Sequence, residues 1–139
     1  MRSEPNQRTT ALMLPAIASI LVVDDDRDLC DLLDALLTAE GYRIRCVYDG
    51  ETAWEAVQQE PPDLILSDIK MPKLDGVTLA LRLAEAAFGI PVILMSAGYD
   101  DWAGVASRFL RKPFEIDDLL ASIAVLIMER EQGQMVKPR

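Results

Sequence analysis

Short β-type runs alternate with helical periods five times along this chain, and that alternation limits the available folds more than any other feature. Ile20-Leu21-Val22-Val23 is the continuous apolar run of a strand buried on both faces. Asp26 then offers a helix cap, and Leu29, Leu32, Leu33, Leu36 and Leu37 follow at i, i+3, i+4, i+7 and i+8. This is one apolar stripe, read as core, on a helix that ends at Glu40 before Gly41. Tyr42 to Val47 predicts a second strand, and Asp49-Gly50 turns into a helix through Ala53, Trp54 and Val57. Pro61-Pro62 stops that helix, because proline lacks the N–H the next turn needs. Leu64 to Ser67 predicts a third strand ending at Asp68, and a loop from Ile69 to Gly76 leads to a helix carrying Val77, Ala80, Leu81 and Ala84. Pro91 to Met95 predicts a fourth strand ending at Ser96, and Phe109 to Arg111 a short fifth ending at Lys112-Pro113. The last helix begins near Glu115, with Ile116, Leu119, Leu120, Ile123 and Ile127 on one face. The pattern predicts an α/β fold, a parallel sheet wrapped by helices on both sides.

Composition narrows the function. The 139 residues suit one domain with one regulatory unit and no attached output domain. A net charge of −9 opposes direct binding to nucleic acid or to an anionic membrane. The chain has no histidine, which excludes Ser-His-Asp triads, HExxH zinc sites, His-ligated haem and any phosphohistidine of its own. Cys30 falls in a helical pattern and Cys46 in a strand pattern; both read as buried small apolar groups in a reducing compartment. Arg2 and Arg8 before the apolar run 11–18 superficially suggest an export signal, but Pro15 breaks that run and Glu4 precedes it. Residues 1–17 are expected to form a disordered or loosely docked leader, 18–131 the domain and 132–139 a flexible tail. No run approaches the roughly 20 apolar residues of a transmembrane helix, so the expected location is the cytoplasm.

In such folds ligands sit outside the carboxyl ends of the strands. Those ends here bear Asp24-Asp25-Asp26, Asp68, Ser96-Ala97 and Lys112. Converging carboxylates without histidine or cysteine suit a hard, oxygen-preferring cation, above all Mg²⁺. A hydroxyl and an ammonium facing that cation meet the needs of a phosphoryl group. The residues alone therefore predict a Mg²⁺-dependent phosphoryl site with a carboxylate able to act as nucleophile.

The segments Val22-Val23-Asp24-Asp25-Asp26, Ser67-Asp68-Ile69-Lys70-Met71-Pro72, Asp75-Gly76, Met95-Ser96-Ala97 and Lys112-Pro113-Phe114 resemble, in order, the receiver domain of two-component response regulators, over about residues 19–130. The resemblance implies a flavodoxin-like sheet of order 2-1-3-4-5 and a stand-alone signalling domain rather than an enzyme, one that catalyses only its own phosphorylation and dephosphorylation. It implies Asp68 as phosphoacceptor, Asp25 as direct Mg²⁺ ligand, Asp24 acting through water, and the Lys70 backbone carbonyl completing the protein ligands. Ser96 and Lys112 would contact the phosphoryl oxygens, helped by the Ala97 N–H, and Phe109 stands at the family's switching aromatic position. A cis bond is expected at Lys112–Pro113. The implied partners are a histidine kinase or histidine phosphotransfer protein and a protein output target, with room for a weak dimer.

Bland readings stand beside these roles. Asp26 reads as a helix cap and Asp75-Gly76 as turn chemistry. Trp54 and Trp102 fit packing, and Arg108 and Arg111 read as solvent-facing charges at a sheet edge. Two departures from the family also matter. Lys112 follows only 16 positions after Ser96, and Gly98 and Gly104 interrupt the stretch between, which predicts a fourth helix truncated or absent and mobile. Phe109 has no hydroxyl, so it can pack inward but cannot bond the loop after Ser96. Lys70 and Gly98 are placed to tune the phosphate lifetime. Two alternatives stay open: a receiver-like binding module whose output ignores phosphorylation, and a small haloacid dehalogenase-type phosphatase suggested by Asp24-x-Asp26.

Overall fold

The computed structural model describes residues 17–98 and 104–135. Among the described residues five strands are present: β1 (Ser19–Val23), β2 (Arg43–Val47), β3 (Leu64–Asp68), β4 (Val92–Ser96) and β5 (Arg108–Arg111). Among the described residues there are four helices: α1 (Arg27–Ala39), α2 (Gly50–Gln59), α3 (Gly76–Glu85) and α4 (Ile116–Met135). All neighbouring strands pair in parallel, in the order β2-β1-β3-β4-β5. This is the predicted flavodoxin-like architecture.

Side-chain alternation along β1 explains why both faces are covered. Ile20 and Val22 point into one core, with Cys30, Leu33 and Leu37 of α1 and Leu119, Ile123 and Leu126 of α4. Leu21 and Val23 point into the other, with Ala53 and Val57 of α2 and Leu79, Ala80 and Leu83 of α3. The chain turns one way from β1 to β2 and the other way from β3 to β5, so a crevice opens between the carboxyl ends of β1 and β3. Asp24 and Asp68 stand on its two sides.

Several expectations need correction. The leucine stripe of α1 is only partly core: Leu33 and Leu37 are buried, whereas Leu32 is 54% and Leu36 37% exposed. The sheet covers a narrower arc of the helix than the stripe spans, and Cys30, not Leu29, completes the inward line. On α3 the inward face is Leu79, Ala80 and Leu83, while Leu81 faces outward, because the two bulkiest side chains one turn apart set the helix rotation. Cys46 is half-buried rather than buried, since β2 is an edge strand. Helix α4 continues through Met135, past the expected domain end at 131, on a run of good helix formers from Glu129 to Gln132.

Arg108 and Arg111 are exposed on the edge strand β5, as predicted. No helix lies between β4 and β5 among the described residues, and residues 99–103 of that connection, Trp102 included, lie outside them. The expected leader, Ile17 apart, and residues 136–139 of the expected tail also lie outside the described residues.

Candidate functional site

The chain leaves β1 at Asp24, whose side chain is fully buried and held at every polar atom. Its N–H donates to the Val47 carbonyl at 3.1 Å, one residue beyond the β1–β2 ladder. One carboxylate oxygen, Oδ1, accepts the Asp26 N–H at 2.9 Å, and the other, Oδ2, accepts the Lys112 ammonium at 2.8 Å. Its carbonyl accepts the Cys30 thiol at 3.3 Å. Asp25 is exposed. Asp26 caps α1 by accepting the Leu29 N–H at 3.1 Å, as its position predicts, and this ties its carboxylate to the helix terminus.

Asp68 ends β3 and is nearly buried. Lys112 lies between the two inner carboxylates, with Nζ 2.8 Å from Asp24 Oδ2 and 3.1 Å from Asp68 Oδ1. Asp24, Asp25 and Asp68 each offer an oxygen, and the three oxygens lie within 4.8 Å of one another. Like charges about 4 Å apart repel by on the order of 4 kcal/mol near a protein surface, so this cluster needs positive charge. Burial pushes the Asp68 carboxyl above its ordinary range, Asp24 and Asp25 push it further, and Lys112 opposes them. Burial also works against the Lys112 ammonium, yet Asp24 and Asp68 together hold it above the usual lysine range. An all-oxygen donor set around one charged lysine fits a hard divalent cation such as Mg²⁺.

The rest of the rim assembles from the ends of β4 and β5 and from the loops after β3 and β4. Ser96 is buried at the end of β4, and its hydroxyl accepts the Gly98 N–H at 3.1 Å. The Lys112 N–H donates to the Ser96 carbonyl at 2.9 Å, fixing the end of β5 beside the end of β4. The Lys112–Pro113 bond is cis, as expected. Ala97 and Lys70 are exposed on the loops after β4 and β3. Phe109 is half-buried against the core shared with α2 and α3, the inward packing open to a ring without a hydroxyl.

Three features escaped sequence reading. Cys30 reaches the Asp24 carbonyl from one turn into α1, and a lone cysteine in a helical pattern gives no sign of that contact. A Cβ at Gly76 would strike the Asp68 carbonyl, so α3 starts directly against the end of β3. The Gly76 N–H donates to the Ile69 carbonyl at 2.8 Å, and Asp75 caps α3 through the Thr78 N–H at 2.8 Å. Finally, an apolar groove of about 430 Å³, lined by Leu29, Leu32, Leu36, Phe114 and Ile116, opens beside the site and shares Lys112 with it.

Residues 20–124 match the response regulator receiver domain. The chain belongs to this family. It is 40% identical over 111 residues to the response regulator GtcR of Aneurinibacillus migulanus, covering 76% of this chain and 46% of that protein. It is 38% identical over 123 residues to the DNA-binding transcriptional regulator NtrC of Proteus hauseri, covering 84% of this chain and 26% of that protein. The receiver thus spans about half or less of the length of these relatives. Among solved structures, it resembles the receiver domain of the Francisella response regulator 1452, with a TM-score of 0.76 at 27% identity over 81% of this chain and 98% of that one. A response regulator receiver domain protein from Clostridium thermocellum gives a TM-score of 0.78 at 25% identity, over 84% and 98% of the two chains.

Proposed function

We propose that this receiver accepts a phosphoryl group on Asp68 from the phosphohistidine of a separate histidine kinase or histidine phosphotransfer protein, in a Mg²⁺-dependent reaction. The observation that carries this reading is the Lys112 ammonium set between two buried carboxylates, with a third carboxylate oxygen within 4.8 Å of the first two. No histidine occurs among these 139 residues, so the donor histidine lies outside them. The groove beside Lys112 suits the apolar face of that donor, whose phosphohistidine would then lie next to Asp68.

Asp25 and Asp68 would hold the Mg²⁺ directly with the Lys70 carbonyl, and Asp24 through water. Bound there, Mg²⁺ supplies charge that offsets the negative charge gathering on the transferred group. The Asp68 oxygen attacks phosphorus in line as the P–N bond breaks, and the bonding pair stays with the departing imidazole nitrogen. Lys112 contacts the phosphoryl oxygens as they arrive, and the Ser96 hydroxyl and the Ala97 N–H donate to them. The acyl phosphate carries close to −2 charge where the carboxylate carried −1, which draws Ser96 inward and biases the loop before β5. Output then passes through protein contacts in the cytoplasm. Among the described residues no helix is long and apolar enough to cross a membrane.

Acetyl phosphate with Mg²⁺, followed by intact mass, tests the reading. The wild-type chain should gain one HPO₃ unit, and Asp68→Asn should gain none. No gain on the wild type, or an equal gain on Asp68→Asn, overturns it. Turnover of an aryl phosphate that survives Asp68→Asn would instead point to a phosphatase, and partner affinity indifferent to beryllofluoride to a constitutive binding module.

A further inference from the structure

Two thiols lie beneath the acidic cluster. Cys30 is fully buried in α1 and donates its S–H to the Asp24 carbonyl at 3.3 Å. Cys46, level with Val22 on the neighbouring strand, donates to the Cys30 carbonyl at 3.6 Å. Neither thiol is in a disulfide. The Asp24 carbonyl belongs to the peptide that joins two of the three clustered carboxylates. Because that peptide is planar, its carbonyl and the Asp25 N–H turn together. The Asp24 side chain and N–H are already fixed by Lys112, Asp26 and Val47, so the thiol bears on the one remaining polar atom of that residue.

We infer that Cys30 is a positioning residue for the cation site: its thiol fixes the Asp24–Asp25 peptide and thereby aims the exposed Asp25 carboxylate at Asp24 and Asp68. The inference rests on the reading of this cluster as a Mg²⁺ site. Asp24 and Asp68 are buried and held by Lys112, whereas Asp25 is exposed and depends on its backbone for direction. A thiol suits the task in two ways. It fits an apolar core position, flanked there by Leu33 and Leu37, where a larger polar group would need further partners. It also stays protonated, since burial, helped by the nearby Cys46 and Asp24, pushes the Cys30 thiol up to about 12.

Mg²⁺ titration of the unphosphorylated chain, followed by backbone amide NMR shifts, tests this with Cys30→Ser, Cys30→Ala and Cys30→Val. Serine restores a donor, whereas alanine and valine remove it with opposite changes in volume. The expected result is near wild-type Mg²⁺ affinity for Cys30→Ser. Cys30→Ala and Cys30→Val should both bind about threefold to tenfold more weakly, a smaller loss than stronger outer-shell partners cause. In EDTA the Asp24 carbonyl ¹³C resonance should move in Cys30→Ala and stay near its wild-type position in Cys30→Ser. Melting temperatures in EDTA separate loosened packing from lost positioning. A lowered melting temperature with unchanged Mg²⁺ affinity in Cys30→Ala overturns the inference, as does a serine variant as weak as alanine. A wild-type chain without any Mg²⁺ response would overturn the site reading itself and the role of Cys30 with it. A responsive wild type whose alanine and valine variants bind Mg²⁺ as tightly as it does would overturn the role of Cys30 alone.

Discussion

Asp68, the proposed phosphoacceptor, sets stability against function in a single carboxyl. Its folded-state value is raised by burial and by Asp24, so its ionised form costs stability in the metal-free protein. Below about pH 4, the ordinary aspartate value, it is protonated in both states and the cost vanishes. As pH rises through the raised native value, that stability is lost. Asp68→Asn should therefore melt at a higher temperature than the wild type at neutral pH in EDTA, with the gap closing below about pH 4 in thermal scans followed by circular dichroism. Gly76 is the second residue under strict constraint, since a side chain there has no room beside the Asp68 carbonyl. Gly76→Ala should cost about 1–3 kcal/mol in urea unfolding, the usual range for overpacking, and should slow labelling by acetyl phosphate because the end of β3 must shift.

At the scale of elements, α1 does two jobs with one apolar stripe. Leu33 and Leu37 anchor it to the sheet, and Leu32 and Leu36 furnish the groove beside Lys112. Leu33→Ala should cost about 2–5 kcal/mol in chemical denaturation, as burial in a packed core implies. Leu32→Ala should change stability by about 0.5 kcal/mol or less, yet weaken phosphotransfer from a protein donor while leaving labelling by acetyl phosphate unchanged. The start of α3 depends on its cap in the same local way. Asp75→Ala should cost about 1 kcal/mol, because the Thr78 N–H loses its partner at a helix terminus.

For the whole molecule, the proposed cation site joins strand ends that are remote in sequence, so filling it should stabilise the folded chain as a unit. Mg²⁺ at a hundredfold excess over its dissociation constant should add about 2.7 kcal/mol, read as a rise in melting temperature that Asp25→Ala abolishes. The parallel α/β class was legible because β-branched runs and helical periods are local patterns that the backbone obeys before any packing. The strand-end residues Asp24, Asp68, Ser96 and Lys112 were legible too, since in a sheet of this kind the carboxyl ends of strands share one rim. What the amino-acid order could not reveal were choices made by three-dimensional packing. These include which edge of the α1 stripe meets the sheet, how α3 is rotated, that Lys112 sits between Asp24 and Asp68, and that a thiol supports the Asp24 carbonyl. Each depends on distances between atoms far apart along the chain. Periodicity assigns a residue to a face, but only the assembled layers decide how wide that face is and what it touches.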